Sequence, residues 1–189
     1  KTESFNEKKY TIGSLTVAQK TAFDKLINEK RGENGTAIST AEEFAAMSAS
    51  GNYYLAADIT IDKTYETLFT GTLNGKGHTV TTSVPMFNDM NGTVRNLTVN
   101  GDIVVKDTNS GAVSVQTTGN ARFENIVVNA NLSGGAKTGG IVGYGSAGAK
   151  ITFFRCINNG EIEGTSHTGG LIGYIASTIL IVDECVNNG

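Results

Sequence analysis

The seven residues Thr138–Tyr144, TGGIVGY, return thirty residues later as TGGLIGY at Thr168–Tyr174. A repeat of that length constrains the chain more than any other feature. One unit is too small to bury its own apolar face, so neighbouring units must stack. The match runs well beyond the heptad. Val94, Phe123, Phe153 and Val182 lie 29, 30 and 29 residues apart, and Leu97, Ile126, Cys156 and Cys185 keep the same intervals. So do Val99, Val128, Asn158 and Asn187, while Ile103, Leu132 and Ile162 make a fourth column. Gly111, Gly140 and Gly170 make a fifth, with Val113, Val142 and Ile172 two residues on.

Within each unit the period is two. Ile151 and Phe153 alternate with Thr152, Leu180 and Val182 alternate with Ile181, and Gly or Asn ends each run. That is the pattern of short strands, and no stretch from Tyr53 onward has helical periodicity. The chain holds 24 Gly but 1 Pro, which suits many tight turns rather than a flexible linker. Stacked at the spacing of neighbouring strands, each column becomes an inward apolar ladder. The expected fold is mostly β, a parallel β-solenoid of about four to five coils. Asn158-Asn159-Gly160 and Asn187-Asn188-Gly189 share a register, so Asn158 and Asn187 are read as structural, their amides stacked along the axis.

The front of the chain reads differently. Thr40 with Glu43 forms a capping box, Phe44 and Met47 follow on one face, and Gly51 ends the turn, so a helix at about 40–50 is expected to cap the open end of a β-helix spanning 38–189. Residues 1–37 are read as a helical segment, Thr16–Arg31, with a polar linker. Net charge is −3, which excludes the basic footprint of a nucleic-acid binder. No apolar run approaches the length of a transmembrane segment; TILIV at Thr178–Val182 is the densest. The sequence starts at Lys1 without a signal-peptide pattern, which reads as a processed or excerpted chain.

The stretch TGGIVGYGSAGAKITFFRCINNGEIEG (138–164) resembles the GLUG-type repeat of bacterial surface proteins, and FTGTLNGKGHTV (Phe69–Val80) and GTVRNLTV (Gly92–Val99) resemble the segments that precede it there. The resemblance covers about Ile38–Gly189. It implies a right-handed, pectate-lyase-like β-helix and an adhesin-like protein of Bacteroidetes type, secreted or on the cell surface. Such repeats also occur in accessory regions of metalloproteases that cleave immunoglobulin A.

Candidate chemistry is sparse. Pectate-lyase-like enzymes use calcium-binding carboxylates on an outer face. Here Asp102, Asn131 and Glu161 would share one outward column with Glu163 nearby, either a solvated face or a weak calcium site. Asp102 and Glu161 would stand two coils apart, too far to share one ion unaided. His78 and His167 lack metal-motif spacing and are read as strand or turn residues. Cys156 and Cys185 share an apolar column and are read as stacked thiols or as a disulfide between coils. Tyr144 and Tyr174 stack as well, either as a platform for sugar rings or as local packing. No catalytic constellation and no cofactor motif stands out. The sequence therefore favours an extracellular binding module whose partner is a glycan or a host surface protein. The alternatives are a polysaccharide lyase or glycoside hydrolase on the same fold, and a passive stalk or accessory domain. Ile179 and Ile181 stand where the preceding coil has Lys150 and Thr152, which points to self-association through the C-terminal coil.

Overall fold

The structure, a computed structural model, describes residues 35–105 and 109–189. The expected helix Thr16–Arg31 lies outside the described residues. The rest is a parallel β-solenoid with almost no helix. One sheet runs through strands Thr36–Ile38, Asn52–Leu55, Thr72–Asn74, Thr93–Asn100, Asn120–Val128, Lys150–Phe154 and Ile179–Asp183 in that spatial order. A second stacks Phe87–Asp89, Ser114–Thr117, Val142–Gly145 and Ile172–Ile175. A third holds Asp102–Val105, Asn131–Gly134 and Ile162–Glu163, and a fourth Ser110–Gly111, Lys137–Gly139 and His167–Gly169. From Thr93 onward each turn visits the first, third, fourth and second sheets in the same order.

Coil length is not constant. Val94 pairs with Phe123, Phe123 with Phe153, and Phe153 with Val182, which gives about three turns of 29–30 residues. Ahead of them, Tyr53 pairs with Leu73 and Leu73 with Val94, so those coils are only 20–21 residues long. The third sheet begins at Asp102 and the fourth at Ser110, so the short coils contribute a strand to neither. The expected four to five coils thus resolve into about three long turns preceded by shorter ones.

The expected columns of the first and third sheets are register neighbours and line one core through the penultimate coil, whereas Val182 and Asn187 of the last coil are exposed. Leu97, Ile126 and Cys156 are buried in line, as are Val99, Val128 and Asn158. The Phe123 and Phe153 rings stack with centroids 5.3 Å apart. Each such side chain removed from water contributes roughly 1.5–3 kcal/mol. The fifth column needs correction. Gly139, not Gly140, lies opposite Gly111, and Ser114, not Val113, lies opposite Val142. Five residue steps separate Val105 from Ser110 but four separate Gly134 from Thr138, which shifts the register by one; the turn from Gly145 to Lys150, two residues longer than that from Thr117 to Asn120, then brings the interval to 30. Because strand side chains alternate, such a shift exchanges faces, and a column drawn at constant spacing misses it.

The glycines of the repeated heptad are steric. A methyl group at Gly140 would sit 2.1 Å from the Gly170 carbonyl oxygen, and one at Gly139 would sit 2.5 Å from the Gly173 nitrogen. At these positions one coil packs on the backbone of the next, and only hydrogen fits. Thr138, Ile141 and Val142 of the heptad are buried. At the bend within the first sheet, Asn96, Asn125, Arg155 and Glu184 all have φ between 51° and 54°. Asparagine tolerates that left-handed geometry best. Here Asn125 Nδ2 donates to Asn96 Oδ1 at 3.0 Å, and Asn96 Nδ2 to Asn74 Oδ1 at 2.9 Å. In the last two coils an ion pair replaces the amides, Arg155 Nε donating to Glu184 Oε2 at 2.6 Å.

The cap is shorter than expected, a single helical turn at Ala41–Ala45. Thr40 Oγ1 accepts the Glu43 N–H at 3.2 Å, while the Glu43 carboxylate accepts from Ser39 N–H at 2.6 Å rather than from Thr40. The helix projects Phe44 into an aromatic cluster, 5.5 Å from Phe87 and 6.4 Å from Tyr65 between ring centroids. Tyr65 donates its hydroxyl to the Met47 carbonyl at 2.9 Å, which satisfies the one polar atom of that ring. No helix among the described residues is long and apolar enough to cross a membrane.

Candidate functional site

One position that is at least partly exposed recurs on each of the four strands of the second sheet, and these positions form one row. Asp89 is opposite Gln116, Gln116 opposite Tyr144, and Tyr144 opposite Tyr174. The two tyrosine rings stack with centroids 5.9 Å apart and planes 24° from parallel. Tyr174 is 37% exposed and Tyr144 half-buried. Gln116 Nε2 donates to Asp89 Oδ2 at 3.3 Å, and the Thr118 hydroxyl donates to the same oxygen at 2.8 Å. The row thus passes from a hydrogen-bonded carboxylate to an aromatic pair within four coils.

The neighbouring fourth sheet adds a second row beside the rings. Lys137 and His167 are register partners. Lys137 Nζ lies 3.9 Å from the centroid of Tyr144 and 5.1 Å from that of Tyr174, a cation held over both rings. His167 meets Tyr174 edge to face with centroids 4.8 Å apart, and its Nδ1 is 3.0 Å from the Ser166 hydroxyl. Lys137 and His167 complete the cluster around the tyrosines, and the sequence reading missed the lysine. The signal was present, because each copy of the heptad is preceded directly by a basic residue, Lys137 before Thr138 and His167 before Thr168.

The other candidates lie elsewhere. Asn131 bridges the carboxylate column: its Nδ2 donates to Asp102 Oδ1 at 3.0 Å, and its Oδ1 accepts the Glu161 N–H at 3.1 Å. Glu163 belongs to the adjacent position, where it accepts from Ser133 Oγ at 3.3 Å. Among the described residues no three His, Cys, Asp or Glu side chains gather as a metal site would require. His78 pairs with Asp58, Nδ1 to Oδ1 at 3.0 Å, far along the chain from His167. The Thr79 N–H, which Asp58 accepts at 2.9 Å, and then His78 hold the Asp58 carboxyl below its ordinary range.

Cys156 and Cys185 are both free thiols, Cys156 fully buried and Cys185 half-buried. The Cys156 N–H points at Cys185 Sγ, 3.3 Å away, and Cys156 Sγ donates to the Phe123 carbonyl at 3.4 Å. Burial pushes the Cys156 thiol up to about 12, which makes it a packing element rather than a nucleophile. Asn158 is buried, and its Nδ2 donates to Asn187 Oδ1 at 2.8 Å, while its own Oδ1 has no partner. A longer amide ladder stands one position later on the surface. Asn188 donates to Asn159 at 2.8 Å, Asn159 to Asn129 at 2.8 Å, and Asn129 to Asn100 at 3.0 Å.

No protein-family model and no curated protein matches the chain. Among solved structures it is similar to the 1.30 Å crystal structure of a putative immunoglobulin A1 protease from Bacteroides ovatus, with a TM-score of 0.56 and 16% identity over 82% of this chain and 76% of that one. At that identity the likeness concerns the fold.

Proposed function

We propose that this solenoid is a binding module of a secreted or cell-surface protein, and that the Tyr144–Tyr174 row is where it takes a carbohydrate. One observation carries the reading. Packing accounts for Thr138, the glycines and the aliphatic residues of the repeated heptad, but it does not account for the tyrosine. The same outward position holds Asp89 and Gln116 in the two preceding coils, so the fold accepts other side chains there. Two stacked rings on an outer face offer the apolar surface on which the C–H face of a sugar ring packs. The adhesin-like character suggested by the GLUG-type resemblance agrees with this, and a host surface protein is the other partner class to screen.

The spacer reading also has an observation in its favour. Lys137 Nζ already lies over the Tyr144 ring, so part of the aromatic surface is engaged within the chain. A glycan array read with the parent chain and with Tyr144→Ala and Tyr174→Ala separates the two. Glycan binding that both substitutions weaken, with folding intact by circular dichroism, supports the binding module; no glycan binding by the folded parent chain supports the spacer. Incubating polysaccharides with the protein, with and without calcium, tests for an enzyme. Turnover that disappears on replacing Asp102, Glu161 or Glu163 would replace the binding reading with a catalytic one.

A further inference from the structure

We propose that the sugar units recognised by this face are acidic, and that the Lys137 ammonium binds their carboxylate or sulfate group. The inference rests on the carbohydrate reading above and specifies its ligand. Lys137 is held beside the aromatic row by two ring faces, 3.9 and 5.1 Å from its Nζ. Ring faces attract the charge but satisfy none of the three N–H donors as a carboxylate would. Among the described residues no carboxylate lies within ion-pair distance of Lys137. Acidic side chains are not scarce in this chain, which has 18 Asp and Glu against 15 Lys and Arg. Two of them, Asp89 in the same row and Glu163 on the third sheet, are engaged with other groups. Asp89 accepts from Gln116 and Thr118, and Glu163 accepts from Ser133.

The placement also suits the shape of such a ligand. A pyranose stacks through its C–H face and carries its acid group at the periphery. The ammonium stands over the Tyr144 ring and 5.1 Å from the centroid of the more exposed Tyr174, so a sugar stacked on Tyr174 brings its peripheral acid group toward it. Lys binds an anion as a point charge, without the planar fork by which Arg selects geometry, so carboxylate and sulfate share this chemistry. His167, held by the Ser166 hydroxyl and set edge-on to Tyr174, lines the same side and offers hydrogen bonding to the sugar hydroxyls.

The test is titration of the 189-residue protein with three hexasaccharides: a neutral glucose hexamer, a glucuronate-containing hyaluronan hexamer and a sulfated heparin hexamer. At low salt at least one acidic hexamer binds about tenfold more tightly than the neutral one, the advantage expected of one charge-assisted contact. That advantage shrinks as salt rises, disappears in Lys137→Gln and survives in Lys137→Arg, while Tyr174→Ala weakens all three ligands. Comparing the two acidic hexamers identifies the preferred group. Equal binding of neutral and acidic hexamers, or an acidic preference untouched by Lys137→Gln, overturns this inference and leaves the carbohydrate reading standing. Failure of all three to bind folded protein overturns both.

Discussion

Ile126 sits within an apolar column, fully buried between Leu97 and Cys156. Replacing it with aspartate puts a carboxyl where no water reaches. Keeping that group neutral at pH 7 costs about 4 kcal/mol, since it must take up a proton some three units above its ordinary value. Leaving the neutral acid without partners adds about 1–3 kcal/mol, and losing the isoleucine surface adds about 2. The total, about 8 kcal/mol, is comparable to the whole stability of a typical domain, about 5–15 kcal/mol. Ile126→Asp should therefore be largely unfolded at pH 7 by circular dichroism and should regain structure as the pH falls toward 4, where the protonation cost vanishes. Ile126→Asn has no proton to gain and should show no such recovery. Ile126→Val should cost only about 0.5–1.5 kcal/mol. A cooperative melt of Ile126→Asp at pH 7 within a few degrees of the parent would refute the inward assignment of the column, and with it the register of the solenoid.

Three further outcomes are expected. With its thiol raised to about 12, Cys156 should resist iodoacetamide at pH 8 while half-buried Cys185 is labelled, which intact-mass spectrometry counts as one adduct on folded protein and two on unfolded. Asp58 is held below its ordinary range by Thr79 and His78, so its contribution is present above about pH 4 and is lost as pH falls through its lower folded value; Asp58→Asn should lose stability at pH 6, and the loss should shrink as pH falls, by thermal melts. Ile179 and Ile181 are 63% and 42% exposed on the coil where all four sheets present an edge, so the isolated 189-residue chain should self-associate weakly. Ile179→Lys with Ile181→Thr should abolish that association, and light scattering that shows a strict monomer at millimolar concentration, or a dimer indifferent to the double change, would rule it out.

The solenoid was legible because its sheets repeat a chemical demand at a nearly fixed interval. Val94, Phe123 and Phe153 meet the same packing requirement, so periodicity alone aligns them. It failed at Gly111 and Val113 because a turn differing by one residue leaves the sequence similar while exchanging faces. The shorter coils before Val94 were illegible for a related reason. Tyr53, Leu73 and Val94 share one column, but a 20-residue interval carries neither the third nor the fourth sheet and so lacks their companion positions. On the surface, stacking of Tyr144 on Tyr174 follows from the repeat itself. The place of Lys137 over both rings does not, since it depends on how closely two sheets meet at a corner. The ladder through Asn100, Asn129, Asn159 and Asn188 obeys the period and was overlooked because the sequence reading assigned the stacking to Asn158 and Asn187, one position earlier.

The change in coil length also fixes how the chain would give way under tension. In the isolated 189-residue chain, force applied at Gly189 meets an edge whose hydrogen bonds run to a single neighbouring coil, so it peels one coil before loading the next. Each long coil of 29–30 residues pays out about 100 Å of extended chain, and each short coil about 70 Å. An extension trace should therefore step in larger increments first and smaller ones afterwards. The aromatic cluster of Phe44, Tyr65 and Phe87 lies with the short coils, so the smallest steps come last. Under such a load the solenoid lengthens in graded stages instead of failing at once.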